Sequence, residues 1–211
     1  MTSATGINLA AAGDLAVLLS RGLAYPAPEL HGDLTRGEFG KALSAAADAC
    51  GVPLQSGLVD GLAVEAARVG YVGLQGEHTR LFARTVPCPP NASAYEPKDG
   101  LRTTRSVGEV SAFYEAFGFQ VSPGAHELAD HISVELEFLG VLAVKEEYAR
   151  QRGWRGRMAV CRDARTKFAA EYLAPWIGQL AARVEKHAGL ILYPATASTA
   201  TRLVSLLERP D

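Results

Sequence analysis

The chain has 211 residues and a mass of 22.4 kDa, a length at which one domain is expected. Ala and Leu supply 60 residues whereas Val and Ile supply 20, which favours helices, because strands prefer β-branched side chains. A formal net charge of −2 excludes the basic surface of a general nucleic-acid binder, and no apolar run reaches the roughly 20 residues that span a bilayer.

The cysteines and the amino terminus indicate where such a protein works. Cys50, Cys88 and Cys161 are odd in number and form no C-x-x-C pair, so we expect neither a disulfide framework nor a zinc site. No basic residue precedes the first apolar run, and Asp14 interrupts it, which argues against a secretory signal. The sequence predicts a soluble helical protein of a reducing compartment, without membrane insertion.

The first third of the chain predicts three helices. Apolar residues spaced by three and four predict a helix over 8–24, which Pro26 and Pro28 would end. A second helix is predicted over 34–49. A third should run over 56–82, where Gly70, Gly73 and Gly76 either permit close helix packing or break the element.

A long loop is predicted over residues 83–105, which show neither helical nor alternating periodicity. Such a long structureless segment is uncommon inside a compact domain and is usually functional or disordered. Tyr95 and Leu101 favour a loop that is ordered and pinned to the protein body. The helix-breaking residues of this loop are Pro87, Pro89, Pro90, Pro97 and Gly100.

The remaining chain again predicts helices. Ser106 and Glu109 form a capping box that would open a helix ending near Phe117, before Gly118. Ser122 and Pro123 predict the start of a long helix that continues to about Gln151. Three more helices are predicted at about 156–173, 175–187 and 196–208.

The predicted long helix carries two polar residues between apolar arcs. On a helical wheel, His131 and Glu135 lie one turn apart, between two apolar arcs of which one begins at Leu128. Asp130 and Glu137 lie at the polar edge of the helix. Buried polar groups need partners, so His131 and Glu135 either pair with each other or cap a neighbouring helix. Alternatively, they border a groove that receives a cationic group such as arginine.

An enzymatic alternative uses the segment HELADH at 126–131. His126, Glu127 and His131 superficially resemble the H-E-x-x-H zinc-protease motif, and a metal-dependent hydrolase is the second hypothesis. The two histidines are five residues apart rather than four, so one helix would not aim both at one ion. Phosphate-binding and nucleophile motifs are missing from the sequence, and we expect neither a metal nor a cofactor.

Three sequence blocks resemble one known family. GEHTRLF at 76–82, AYEPKDG at 94–100 and DHISVELEFL at 130–139 are similar, in order and spacing, to the TorD/DmsD/NarJ chaperones of molybdenum-containing oxidoreductases. The resemblance spans roughly residues 71–150. The loop VPCPPNASAYEPKDG further resembles chaperones that accompany type II enzymes of the dimethyl sulfoxide reductase family.

This resemblance implies a fold, a role and a partner. The fold would be an all-α, single-domain TorD-like bundle over residues 1–211 with a long Pro-rich ordered loop. The role would be that of a non-catalytic cytoplasmic chaperone without a cofactor. Its partner would be the molybdopterin-binding catalytic subunit of a dimethyl sulfoxide reductase-family enzyme, held, often by its twin-arginine leader, until its cofactor is inserted. A monomer is expected, with a dimer as the alternative.

The resemblance also implies site residues. Asp130 and His131 match the family's Asp-His pair for leader recognition, and Leu81 and Phe82 match its Leu-Phe pair. A twin-arginine leader combines two cations with an apolar stretch, so an apolar groove with an acidic rim, including Glu137, would suit it. Several family members have a tryptophan near the loop, which this sequence lacks. The loop matches are Pro89, Pro90, Tyr95 and Glu96.

Overall fold

The computed structural model of the chain describes residues 6–83, 87–95, 107–121 and 127–210, and these residues form helices joined by turns and short loops. Short 3₁₀ and π turns over Ala92–Tyr95 and Ala169–Leu173 supplement the α-helices. The helices are α1 (Leu9–Leu23), α2 (Pro28–Thr35), α3 (Glu38–Cys50), α4 (Leu58–Phe82), α5 (Val107–Ala116), α6 (Ile132–Gln151), α7 (Arg155–Phe168), α8 (Ala174–His187) and α9 (Leu192–Leu207).

The predicted start of the second helix, at residue 34, is wrong. The chain forms α2 directly after α1 and then breaks at Gly37, whose φ of 71° lies in the left-handed region that glycine adopts easily. Pro28 stands at the first position of α2, where a missing N–H does no harm, so it begins a helix instead of ending one.

The glycines of α4 differ in their effect on the helix. Gly70 has a φ of 68° and a ψ of 175°, and the helix kinks there, whereas helical geometry continues through Gly73 and Gly76. Helix α4 packs against α2 and α3. The kink allows the second half to take its own direction, and that half brings His78, Leu81 and Phe82 into the core.

Helix α6 begins later than predicted. It starts at Ile132, and residues 127–131 form an irregular segment with a turn at 129–130. Leu128 is 57% exposed and does not belong to an apolar helical face. His131 caps the helix instead of lying within it. The predicted caps Ser106, Ser122 and Pro123 lie outside the described residues.

Helices α1 and α6 form the centre of the molecule. α1 packs against α3, α6 and α9, and nearly all buried apolar residues in the described part of the chain form one cluster. The two helices cross at Gly13 and Gly140, where a Cβ on Gly140 would lie 3.1 Å from the Gly13 carbonyl oxygen. The backbones of α1 and α6 are therefore in close contact at these two glycines.

In the carboxy-terminal third, α7 packs against α6, and α9 packs against α1 and α8. A π turn joins α7 to α8, with Pro175 in the first turn of α8, and α9 begins four residues before its predicted start. Phe138 of α6 contacts Phe113 and Tyr114 of α5 and Phe168 of α7, with ring centroids 4.5–5.8 Å apart. Within the described residues, no helix is long and apolar enough to cross a membrane.

Candidate functional site

The Pro-rich loop is fastened to the start of α6, and we call these two segments, residues 87–95 and 127–135, the loop junction. Asn91 and His131 form an antiparallel bridge. The Ala92 N–H donates to the Asp130 carbonyl oxygen at 3.0 Å, and the Ile132 N–H donates to the Pro90 carbonyl oxygen at 2.9 Å. The predicted ordered loop is thus held by backbone pairing over its described part.

Asp130 locks this pairing with its side chain. One carboxylate oxygen accepts the Asn91 side-chain amide at 2.9 Å, and the other accepts the Ser93 N–H at 3.1 Å. The residue is buried. Both oxygens therefore have loop partners, and the carboxylate works as a clamp between the loop and α6.

His131 forms the N-cap of α6. Its Nδ1 accepts the Ser133 N–H at 3.2 Å, which places the proton of the neutral ring on Nε2. Nε2 lies 3.3 Å from Glu127 Oε2. Burial lowers the pKa of His131 to about 4, with the positive charge that His78 would carry as a smaller cause. The ring is therefore neutral near pH 7.

Glu135 is a buried acid held by a tryptophan. The Trp176 indole N–H donates to Glu135 Oε2 at 3.2 Å. Burial raises the pKa of Glu135 well above its usual range, and the nearby charge of Asp130 raises it further. The alternative in which His131 and Glu135 satisfy each other is not what the fold shows, since each has a different partner.

The fold brings a tryptophan to the loop, although none lies near the loop in the sequence. The Tyr95 and Trp176 ring centroids lie 5.3 Å apart, and the Arg183 guanidinium carbon lies 5.0 Å from the centre of the Tyr95 ring. The Tyr95 hydroxyl donates to the Pro89 carbonyl oxygen at 2.9 Å. Sequence reasoning missed Trp176 and Arg183, because they lie on α8, far from the loop along the chain.

Leu81 and Phe82 face the core. Leu81 is fully buried and Phe82 is 5% exposed, so neither lines an open groove in this structure. The Phe82 ring contacts the His78 ring at 4.8 Å and the Tyr193 ring at 5.5 Å between centroids. The Leu81 carbonyl oxygen accepts the Cys88 N–H at 3.2 Å, and this bond ties the end of α4 to the loop.

His78 adds a further buried ionisable group. Its Nε2 lies 3.3 Å from the Leu23 carbonyl oxygen, and within the described residues its buried Nδ1 has no hydrogen-bond partner. Burial lowers the pKa of His78 to about 4. The hydrogen bond to Leu23 opposes this shift but is the smaller effect.

The remaining predicted residues are exposed or half-buried, or lie outside the described residues. Glu137 is exposed on α6, and Pro89, Pro90 and Tyr95 are half-buried. Glu96 and His126 lie outside the described residues. Within the residues that the structure describes, no three His, Cys, Asp or Glu side chains come together as a metal site.

The sequence around this site matches a protein family. Residues 40–182 match the family described as nitrate reductase delta subunit, which covers the region from α3 to α8. The chain belongs to this family. The finding confirms the resemblance to the TorD/DmsD/NarJ group that the three sequence blocks indicated.

Named relatives support the same grouping. The chain is 29% identical over 116 residues to the chaperone protein TorD of Vibrio vulnificus strain YJ016, which covers 54% of this chain and 53% of the relative. It is 23% identical over 194 residues to the perchlorate reductase assembly chaperone protein of Dechloromonas aromatica strain RCB, covering 89% and 84%. The match therefore spans about half the length of TorD. Both relatives are named as chaperones and not as catalysts.

A solved structure shares the fold. The crystal structure of a protein from Archaeoglobus fulgidus, described as a redox enzyme maturation protein, superposes with a TM-score of 0.51. It is 22% identical and covers 92% of this chain and 93% of its own. The expected all-α, TorD-like fold is confirmed.

Proposed function

We propose that this protein is a cytoplasmic assembly chaperone for a molybdopterin-dependent oxidoreductase of the dimethyl sulfoxide reductase family. It holds the apo catalytic subunit, by its twin-arginine leader, its mature part or both, until cofactor insertion and export. The observation that carries the proposal is the family match over residues 40–182. The names of two relatives, the chaperone protein TorD and the perchlorate reductase assembly chaperone protein, support it.

The leader would bind along the outer edge of the loop junction. Glu137 presents an exposed carboxylate on α6, and Pro89, Pro90 and Tyr95 present partly exposed apolar surface. Exposed acidic and apolar groups suit a leader that carries arginines before an apolar stretch. Glu96, which follows Tyr95 directly in the sequence, would add a second carboxylate.

The buried residues of the junction would act through the loop. Asp130 holds Asn91 and Ser93, and His131 and Glu135 hold the start of α6. Leu81 and Phe82 pack beneath and are not exposed to a partner. Their part in leader binding is therefore to position the loop, whereas Glu137, Pro89, Pro90 and Tyr95 make the contacts.

The identity of the partner can be tested by affinity capture. The tagged full chain is purified from its native host under conditions in which the reductases are induced, and the captured proteins are identified by mass spectrometry. We expect a molybdopterin-binding catalytic subunit to be enriched over a capture with an unrelated tagged protein. Repeated captures that contain no such subunit would contradict the proposal.

The two roles at the junction can be separated by calorimetry with a synthetic peptide. The probe has adjacent arginines followed by a Leu- and Ala-rich stretch. Glu137→Gln should weaken binding by roughly threefold to tenfold, as expected for one charge-assisted contact. The exposed Glu185→Gln on α8 is the matched control and should bind like the wild type.

The positioning role predicts a different signature. Asp130→Asn combined with His131→Ala should weaken binding of the same peptide while the helicity of the protein stays unchanged. It should also speed amide hydrogen exchange over residues 87–95, which Glu137→Gln should not do. Wild-type affinity in the double variant would remove Asp130 and His131 from the site.

A further inference from the structure

A concave surface lies between α6 and α7, beside the end of α5, and we call it the α6–α7 groove. It has a volume of about 520 Å³ and shares none of its lining residues with the loop junction. Tyr148, Trp154 and Val160 line it and are 48%, 40% and 58% exposed. Large apolar side chains seldom cluster on a surface without a partner, so the groove is a candidate docking site.

The chain around this groove is strongly basic. Residues 145–167 contain eight Lys and Arg but three Asp and Glu, in a protein whose formal net charge is −2. Two of these three carboxylates are already engaged. Glu146 accepts hydrogen bonds from Arg162 and Arg165, and Glu147 accepts from Arg150.

Of the five cations of this segment that do not pair with these carboxylates, three lie at the rim of the groove. Lys145, Arg152 and Arg157 are exposed, and in the described part of the chain none has a carboxylate within ion-pairing distance. The Arg157 guanidinium carbon lies 4.5 Å from the centre of the Trp154 ring, and that of Arg152 lies 5.1 Å from the Tyr148 ring. The positive charge is thus held directly over the apolar surface.

We propose that the α6–α7 groove binds an acidic amphipathic segment of a partner protein. The apolar side chains of the segment contact Tyr148, Trp154 and Val160, and its carboxylates pair with Lys145, Arg152 and Arg157. Resting on the proposed function, the inference assigns this segment to the mature part of the catalytic subunit, because a twin-arginine leader has the wrong charge for this rim.

Peptides of opposite charge test the proposal directly. Two labelled amphipathic helical peptides of about 18 residues, or five helical turns, share one leucine face and differ only in carrying Glu or Lys on the other. Fluorescence anisotropy should give the Glu peptide a Kd roughly tenfold or more below that of the Lys peptide. Equal binding of the two peptides, or tighter binding of the Lys peptide, would overturn the proposal.

Charge reversal locates the binding on the protein. Arg152→Glu combined with Arg157→Glu should weaken the Glu peptide roughly tenfold. The control combines Lys41→Glu on α3 with Arg68→Glu on α4, which makes the same change of net charge at exposed positions elsewhere. Equal losses in both variants would mean a general charge effect and would overturn the inference.

A second variant does not depend on the arginines. Val160→Asp places a carboxylate in the groove at an exposed helical position, where folding should tolerate it. It should also weaken the Glu peptide, and circular dichroism should show unchanged helicity. Unchanged affinity in Val160→Asp would place the peptide elsewhere.

Tryptophan fluorescence provides an independent measure of location. Trp154 is exposed, whereas Trp176 is 3% exposed, so a ligand in the groove should shift the emission of Trp154 to shorter wavelength. The shift should disappear in Trp154→Phe. Binding without a shift in the wild type, or an undiminished shift in Trp154→Phe, would contradict the proposal.

Failure of this inference can be told apart from failure of the proposed function. If the Arg152→Glu/Arg157→Glu variant captures a molybdopterin-binding subunit as well as the wild type does, the groove is not its docking site, although the chaperone role stands. If the wild type captures none, the proposed function fails, while the peptide experiments still decide whether the groove binds acidic helices. A dimer that the charge reversal dissociates would identify a second copy as the occupant and overturn the inference.

Discussion

Asp130 uses both carboxylate oxygens to hold the loop, through Asn91 and Ser93. An acidic residue next to a histidine suggests a ligand-binding group, yet here its own chain occupies it. Buried polar groups are stable only when they are paired, and a paired group has little left for an external ligand. At the scale of single residues, the junction is therefore a support for the loop surface.

Replacing Asp130 by Asn should loosen this support. The variant has one acceptor oxygen for two donors, and its amide N–H₂ must face one of them. We expect the free energy of unfolding to fall by about 1–3 kcal/mol, the cost of an unsatisfied buried group. Denaturant titration measures it, with the exposed Asp163→Asn as control. An unchanged free energy in Asp130→Asn would contradict the clamp.

The buried histidines make stability depend on pH. Burial lowers the pKa values of His78 and His131 to about 4 in the folded state, whereas an unfolded histidine titrates near ~6.5. Between these values the unfolded chain binds more protons, so the stabilising contribution is complete above pH ~6.5 and declines as the pH falls towards 4. Each histidine contributes about 1.4 kcal/mol per pH unit over that window.

A substitution isolates one histidine from other titrating groups. The difference in unfolding free energy between the wild type and His78→Phe should change by about 1.4 kcal/mol per pH unit between pH ~6.5 and ~4. Buried Glu135, whose raised pKa acts in the opposite direction, cancels in this difference. The exposed His187→Gln serves as control. A pH-independent difference for His78→Phe would show that His78 titrates normally in the folded protein.

At the scale of elements, the contact between α1 and α6 controls how the fold closes. A Cβ on Gly140 would lie 3.0 Å from the Ala16 Cβ and 3.1 Å from the Gly13 carbonyl oxygen. Backbone atoms cannot move aside as a flexible side chain can. The helices therefore approach closely because both contact positions lack a side chain.

Gly140→Ala should destabilise the protein although alanine is the better helix former. We expect a loss of about 1–3 kcal/mol from overpacking. The matched control is Gly178→Ala in α8, where an added Cβ meets no atom within 4 Å. That variant should gain up to ~1 kcal/mol from helix propensity. Thermal unfolding of both variants tests the contrast, and equal shifts would argue against the close contact.

At the scale of the whole molecule, a buried ion pair joins the carboxy-terminal helices. Arg165 of α7 donates through Nε to Glu146 of α6 at 2.7 Å, and its Nη1 donates to the Leu207 carbonyl oxygen at the end of α9. Both charged side chains are completely buried. One guanidinium thus links α6, α7 and α9.

Removing one partner of this ion pair should destabilise the protein more than removing both partners. Arg165→Met leaves Glu146 buried with less compensation, and we expect a loss of about 3–5 kcal/mol. Adding Glu146→Leu should recover a large part of that loss, because two apolar side chains can pack together. Denaturant unfolding of the single and double variants tests this, with the exposed Lys167→Met on α7 as control. A double variant as unstable as the single one would contradict the expectation.

Local chemistry alone was enough to predict most helices. The spacing of apolar residues predicted α1 within a few residues, and a capping box predicted α5, because both signals depend on neighbouring side chains. The same local reasoning failed at Pro28, which begins α2, and before Ile132, where α6 starts late. Pro28 was interpreted as the end of one helix although it begins the next, and the start of α6 was placed too early in the chain.

The site itself was decided by contacts between distant residues. The sequence determined which residue types are present: an acid and a histidine before α6, a proline loop and a basic segment after it. Only the tertiary structure decided that Asp130 binds Asn91, 39 residues away, and that Glu135 binds Trp176, 41 residues away. The reason is physical: helix periodicity depends on neighbours within four residues, whereas the burial and pairing of a polar group depend on which helices pack against it.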